Sequence, residues 1–314
     1  MRLPGELPSQ LTGPSFNHAD LANAGVSRDR VRRRDIVALS RGIYAQEHVL
    51  PEPGDARHLH QALTLARSLP DVWISHVTAA RIHQLPLPDR LLRETTVHLS
   101  HAAGTTRRIR RPEVTSHRVR VLPEQLVRWK GAWLSSRVRT WWDLATLLTE
   151  KELVVVGDHL LRRPYRSFEA RSTPFAVVTE LQRIVEQMGK VPGRRPALAA
   201  LALMRVGSDS ATETRLRLAL VRAGLPEPAL QVPARPDWRH SPCADMGYPD
   251  WRIALEYDGG THFTPEKARS DQRRDNIFIS AGWTVLHFNA VDDAEGFSSA
   301  VRQVRELIAR RRTV

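Results

Sequence analysis

The sequence predicts a multidomain α/β protein: a helix-turn-helix followed by a strand, an α+β middle domain, and a C-terminal α/β/α domain. Three observations carry that expectation. A chain of 314 residues is long enough for two or three domains, each with its own core. Residues 15 to 46 set two short helical patterns on either side of a glycine, with an alternating apolar run after them. From about residue 175 the patterns run helix, strand, hairpin, helix, strand, helix. The domain boundaries expected from these shifts are 1–52, 53–172 and 173–314, the last with its core at 208–314.

The first segment reads "SFNHADLANAGVSRDRVRRRDIVALSRGIYAQ". Asn17 or Ser15 can cap a helix that carries Leu21, Gly25 ends it, and Ser27 caps the next helix, "RDRVRRRDI". Val31 and Ile36 face inward on that second helix, which leaves Arg28, Arg30, Arg32, Arg33 and Arg34 exposed. Guanidinium groups so placed can reach phosphates and bind guanine edges bidentately, as a recognition helix must. "VALSRGIY" then supplies a strand and a glycine turn, the place for a wing, with Arg41 in the turn. The competing reading is a small helical hairpin with solvated arginines.

In the middle region "DARHLHQALTLARSLP" reads as an amphipathic helix and "ISHVTAARIHQLPLP" as a second one, ended by prolines. "TTVHLSH" and "VTSHRVRVL" alternate like strands, and "RTWWDLATLL" returns to helix. His58, His60, His76, His83, His98 and His101 show no metal-ligand spacing joined to carboxylates and read as structural or surface residues. The basic run 105 to 120 is either a phosphate-facing patch or a solvated hairpin. The next boundary falls in a polar, proline-bearing stretch from residue 162, and Gly193 marks a turn.

Composition narrows the partner. Lys plus Arg number 47 against 34 Asp plus Glu, a net charge of +13, and all but Lys130, Lys151, Lys190 and Lys267 of those cations are arginine. A basic chain of this kind attracts polyanions by counterion release, so nucleic acid, and DNA in particular, is the expected partner. The single cysteine, Cys243, excludes an intramolecular disulfide and a Cys-rich zinc site, and reads as a packed thiol. The N-terminus lacks the apolar stretch of a signal peptide, and the longest apolar run, 197 to 204, is far short of a membrane span. The expectation is a cytoplasmic protein. Trp141, Trp142 and Trp283 read as core rather than as a stacking platform for bases.

The chemistry concentrates in "ADMGYPDWRIALEYDGGTHF", residues 244 to 263. In "RIALEYD" alternation puts Ile253, Leu255 and Tyr257 on one face and Ala254, Glu256 and Asp258 on the other. If the chain turns through Pro249 to Arg252, Tyr248 pairs with Ile253 and the same register sets Asp245 opposite Glu256. Like charges opposed across strands cost roughly 0.2 to 1 kcal/mol per pair. Something must neutralise them, and a divalent cation with oxygen ligands, Mg²⁺ or Mn²⁺, would do so. Such an arrangement is the chemical core of a PD-(D/E)xK nuclease, in which a held metal activates water and offsets charge on a phosphodiester. Glu213 adds an acid in the first turn of the helix that Ser210 begins. "PD" also occurs at Asp237 and Asp250, but Asp245 alone lies in strand context.

Two resemblances sharpen these readings. "DLANAGVSRDRVRRRDIVALSRGIYA" resembles the winged-helix segment that opens AbiE-type antitoxins, and "SHVTAARIHQLPLP" and "RTWWDLA" are similar to stretches C-terminal to the winged helix in their relatives. The segment from Ser210 to the end resembles Vsr-like endonuclease domains, through "SATETRLRLALVRAG", "ADMGYPDWRIALEYDGGTHF", "DQRRDNIFISAGWTVLHF" and a closing amphipathic helix. That resemblance implies Asp245 and Glu256 as metal ligands, Asp258 as a third acid, Glu213 as an outer acid and His262 as general acid or base. Gln231 matches a polar position of those domains with an open role. The final lysine of the motif is replaced by Asp258, so Lys267 or Arg274 must supply its charge. Lys267, Asp271, Arg274 and Asp275 share one stripe of the helix 265 to 280, read either as exposed ion pairs or as a site-facing row.

The expected function is a metal-dependent DNA endonuclease, cutting or nicking, in DNA repair or phage defence, with a repair or defence partner or a cognate toxin. The alternative is a DNA-binding regulator or antitoxin-like protein whose nuclease fold is inactive. Both expect DNA affinity that falls steeply with salt.

Overall fold

The computed structural model describes residues 6–13, 15–105, 109–165, 169–259 and 265–312, with the side chains of 265–268 outside the description. The protein is mixed α/β, its strands gathered into three sheets of three, five and four strands among the described residues. It divides into two compact units, 1–147 with 183–194, and 148–182 with 195–314. No helix of the described residues is long and apolar enough to cross a membrane.

The first unit opens with β1 (Phe16–Asn17), α1 (His18–Asn23), β2 (Ile36–Ser40) and β3 (Ile43–Gln46), whose strands form an antiparallel sheet in the order β1-β3-β2. Asn17 caps α1: its Oδ1 accepts from the amides of Ala19 and Asp20, while the Asp20 carboxylate accepts from the Asn17 amide. Gly25 then takes the left-handed conformation that ends the helix, φ 67°.

The second helix expected over 28 to 36 is not formed. Arg28–Arg32 makes a 3-10 turn of five residues, capped by Ser27, and Arg33 is already extended. A continuous α-helix would stack Arg28 on Arg32 and Arg30 on Arg34, like charges at four-residue spacing that destabilise a helix. Arg30 turns back instead onto Asp35, donating Nη1 and Nη2 to its two carboxylate oxygens at 2.8 and 2.5 Å. Ile36 is buried with Leu11, Phe16 and Leu21, and Val31 packs against them, the inward orientation that the spacing implies.

The rest of this unit holds α2 (Asp55–Ser68), β4 (Val72–Ile74), α3 (His76–Ile82), α4 (Asp89–Leu92), β5 (Val97–Ala102), β6 (Val114–Val119), β7 (Leu126–Trp129), β8 (Ala132–Ser135) and α5 (Arg137–Leu144). The five-stranded sheet runs β6-β5-β4-β8-β7, with β5–β6 and β4–β8 parallel and the other pairs antiparallel. Leu65 and Ala62 of α2 pack on Ile74, Val97, Leu99 and Leu134. Each fully buried leucine, isoleucine or valine among these contributes about 1.5–3 kcal/mol. Trp141 and Trp142 of α5 are buried as expected.

Next come α6 (Glu150–Leu161), α7 (Val178–Met188), which lies across the division between units, and α8 (Arg194–Leu203). After them the chain forms α9 (Ala211–Arg222), β9 (Ala229–Pro233), β10 (Cys243–Tyr248), β11 (Ile253–Tyr257), α10 (Pro265–Ser280), β12 (Thr284–Phe288), α11 (Ala290–Ala294) and α12 (Ser298–Arg312). The second unit's sheet has the order β12-β11-β10-β9, and only the β11–β12 pair, joined through α10, is parallel. Leu216 and Leu220 of α9 and Val304 and Ile308 of α12 bury one face with Ile253, Leu255 and Phe288. Phe278 of α10 and Trp283 pack with Ala254 on the other. In α9 the fully buried Arg217 donates Nη2 to Asp158 of α6 at 2.8 Å, and Thr214 donates to the same oxygen at 3.0 Å.

The sequence predicts one long closing helix over 293 to 312, and two are present. Gly296 and Phe297 both take positive φ, 65° and 61°, and the Phe297 ring is fully buried, so the chain turns there to drive it into the core. Asn289 caps the short α11 with a reciprocal bond to Asp292.

Candidate active site

The hairpin of β10 and β11 pairs Tyr248 with Ile253, Gly247 with Ala254 and Met246 with Leu255. One step further sets Asp245 opposite Glu256. This is the register that alternation and the Pro249–Trp251 turn imply; Arg252 closes that turn in the left-handed region, φ 43°. Gly247 is required beside it, because a Cβ there would lie 2.5 Å from the Ile253 carbonyl oxygen. Asp237 and Asp250 are exposed, Asp250 in the turn itself.

Each acid of the patch has its own partners. Asp245 accepts from the Tyr257 amide at 2.8 Å. Glu256 is 6% exposed, and Arg274 of α10 donates Nη2 to both of its oxygens at 2.6 Å and to the Cys243 carbonyl at 2.6 Å. Glu213, also buried, accepts from the Asp209 amide at 2.8 Å while its own amide donates to the Ser210 cap at 3.1 Å. Asp209 in turn accepts from Gln231 at 3.2 Å and from the Tyr165 hydroxyl. Asp258 is half exposed and faces His287 of β12, whose Nδ1 lies 3.1 Å from Asp258 and whose Nε2 lies 3.0 Å from Asp275 of α10.

Electrostatics follow from this crowding in a place with little water. Burial pushes Glu256 up to about 8; Asp245 adds to the rise, and the Arg274 guanidinium pulls the other way. Burial lifts Glu213 to about 7, with the Asp245 charge contributing. Asp245 is raised by burial as well, against the opposing bond from the Tyr257 amide. Three neighbouring carboxyls are thus all raised above the usual carboxylate range, Glu213 and Glu256 as far as neutral pH, a pattern common at catalytic sites.

The donor set is all oxygen, which suits a hard dication such as Mg²⁺ or Mn²⁺. Among the described residues, however, these acids do not close into a set of three with ligand atoms within 4.8 Å of one another; the one set that does is His76, His98 and His117 of the first unit. Glu256 is held by Arg274 and Asp258 by His287, and while Asp245 and Glu256 lie on adjacent strands, Asp258 sits against β12.

His262 lies outside the described residues, as does the side chain of Lys267. Arg274 and Asp275 of the α10 stripe face the acids, and Asp271 is half-buried. Arg274 thus brings positive charge against Glu256. Cys243, expected to be packed, is exposed, because it opens β10 at the margin of the sheet.

At the other candidate surface Arg28, Arg32, Arg33, Arg34 and Arg41 are exposed, Arg32 paired with Asp29 at 3.3 Å. Arg30, expected to be exposed with them, is 13% exposed at its side chain and occupied by Asp35. In the second basic run Arg110, Arg118 and Arg120 are exposed, Arg111 donates to Ser40 and the Arg41 carbonyl, and residues 106–108 lie outside the description.

Sequence reasoning missed Asp209, Tyr165 and His287. Asp209 precedes the Ser210 cap, the one local signal that points to it. His287 reaches the patch only through the parallel pairing of Glu256 with His287, and Tyr165 only through the fold.

No family model matches the chain, and no solved structure matches it. Two proteins described as uncharacterized, from two strains of Mycobacterium tuberculosis, are each 33% identical to it over 105 residues, 32% of this chain. The chain spans 38% of the length of these relatives.

Proposed function

We propose that this chain is a metal-dependent endodeoxyribonuclease of the cytoplasm. In this reading residues 173–314 form a Vsr-like PD-(D/E)xK domain, and residues 1–52 a winged helix like that of AbiE-type antitoxins, with their middle domain after it. The observation that carries the reading is the acid patch: half-buried Asp245 and buried Glu256 opposed on adjacent strands, buried Glu213 beside them, all three with raised affinity for protons, and one guanidinium reaching in.

Asp245 and Glu256, with Asp258, would hold Mg²⁺ or Mn²⁺. When bound, such an ion supplies positive charge to the phosphodiester and lowers the pKa of water. Arg274 stands against Glu256 and is placed to share the charge of the transition state as that carboxylate changes partners. Glu213, held at about 7, can keep or release a proton on its carboxyl in the neutral range, and His262 is the second candidate for proton transfer. His287, between Asp258 and Asp275, fixes the direction of the Asp258 carboxylate. The exposed arginines at 28, 32, 33, 34 and 41 would bind the DNA backbone, with Arg30 acting through Asp35 to brace the segment. DNA repair or phage defence, with a cognate toxin or repair partner, is the setting that the resemblances suggest.

One observation favours a second reading. Arg274 engages both oxygens of Glu256, so the patch has a neutralising partner within the chain. A DNA-binding regulator that keeps the nuclease fold as an inactive platform would be built this way. Incubation of the full chain with plasmid and with single-stranded DNA, with Mg²⁺ or Mn²⁺ and with chelator, separates the two. The nuclease reading expects metal-dependent nicking that Asp245→Ala and Glu256→Ala abolish; the regulator reading expects binding without cleavage.

A further inference from the structure

A second cluster lies in the first unit, remote in chemistry from the acids. His98 on β5 and His117 on β6 are diagonal neighbours across a parallel pair in which His98 faces Thr115 and Ser100 faces His117. His76 opens α3 directly after β4, where the Ser75 amide donates to the His98 carbonyl at 3.1 Å. Its backbone is in the left-handed region, φ 49°, uncommon for any residue with a Cβ. That conformation lays its ring on the His117 ring, centroids 3.5 Å apart and planes 10° from parallel.

The hydrogen bonds assign the nitrogens. His98 Nε2 lies 2.8 Å from Glu94 Oε1, and a carboxylate oxygen accepts, so Nε2 carries the hydrogen. The Nδ1 lone pair of a neutral His98 then points at His117 Nε2, 2.9 Å away. Ligand nitrogens bound at about 2.0–2.1 Å to one metal ion stand roughly 2.9 to 3.4 Å apart, so the same spacing serves a shared ion. A carboxylate behind a ligand histidine is the usual way to fix its tautomer and raise its basicity, and Glu94 stands in that place. His76 Nδ1 lies 2.9 Å from the Ser75 hydroxyl, and Asp143, held by Arg139 and Ser135, stands 4.0 Å from the same nitrogen. One nitrogen of each ring lies within 4.8 Å of the other two. Burial keeps all three imidazoles below their ordinary range, His76 and His117 at about 3, so their lone pairs are unprotonated at neutral pH.

We propose that His76, His98 and His117 bind one divalent transition ion of the zinc, cobalt and nickel class, with water completing its coordination. Three imidazoles and no thiolate suit those borderline ions rather than Mg²⁺. An ion lies in the plane of each ring it binds, so His76 turns off the face of His117 when the site fills.

Full-length protein stripped with chelator and titrated with Co²⁺ tests this, because the visible ligand-field band of Co²⁺ reports nitrogen ligation; bound Zn²⁺ is counted in parallel by mass spectrometry. The expected result is one nitrogen-ligated ion per chain, a band lost in His98→Ala and in His117→Gln but kept in Glu256→Gln, and affinity lowered about 10- to 100-fold in Glu94→Gln. Circular dichroism checks that each variant is folded. Absence of the band in the folded wild-type protein overturns the proposal without reference to any variant. So does a band that survives both histidine substitutions, or one that Glu256→Gln removes.

Discussion

Replacing Glu213 with glutamine removes one charge from the acid patch and keeps the shape of the side chain. A carboxyl held at about 7 instead of its ordinary 4.5 changes stability with pH in one direction. Below 4.5 it is protonated folded or unfolded, and the contribution is fully present. Between 4.5 and 7 the folded chain alone keeps the proton, so stability falls, and above 7 the loss is complete. The loss amounts to roughly 3 kcal/mol at pH 8 and under about 1 kcal/mol at pH 5. Glu213→Gln escapes it. In urea unfolding the variant should therefore gain up to about 3 kcal/mol over wild type at pH 8 and little at pH 5. Part of the cost comes from the Asp245 charge, so Asp245→Asn should capture some of the same gain and the double variant should gain less than both singles together. A glutamine variant no more stable than wild type at pH 8, or one with the same advantage at both pH values, would refute the crowding argument.

Three further outcomes rest on individual residues. Asp158→Ala takes from the fully buried Arg217 one of its two carboxylate partners, at 2.8 Å, while Glu227 keeps the other, and should cost about 1–3 kcal/mol in chemical denaturation; an unchanged midpoint would mean that the pair is dispensable. Gly247→Ala brings a Cβ to 2.5 Å from a backbone oxygen that cannot swing aside, so Tm should fall, with a cost of about 1–3 kcal/mol; wild-type Tm would contradict that packing. Exchanging the exposed Arg33 and Arg34 for glutamine should weaken DNA binding in fluorescence anisotropy and flatten the dependence of log K on log salt by about 0.9 for each phosphate no longer neutralised; an unaltered slope would remove residues 15–46 from the DNA interface.

Local rules made much of the second unit legible. Proline and glycine punctuation delimits α10, and strict alternation in "RIALEYD", together with a turn of known length, sets the register that opposes Asp245 to Glu256. What stayed hidden depends on partners far apart in the chain. His287 joins the acids through a parallel pairing 31 residues away from Glu256, which no local pattern encodes. The three histidines come from the start of a helix and two strands, so their spacing of 22 and 19 residues resembles no ligand motif. In the first unit, helical periodicity was outweighed by charge: Arg30 satisfies Asp35 and the expected helix shrinks to a 3-10 turn. Phe297 is a different case, its burial breaking a helix that Gly296 alone only weakened.

The most direct measurement is the fate of supercoiled plasmid exposed to the full chain with Mn²⁺, beside Asp245→Ala and Glu256→Ala proteins shown to be folded. The account predicts nicked or linear product from the wild-type protein alone, abolished by chelator. Intact plasmid in every lane, or equal cutting by all three proteins, would contradict it.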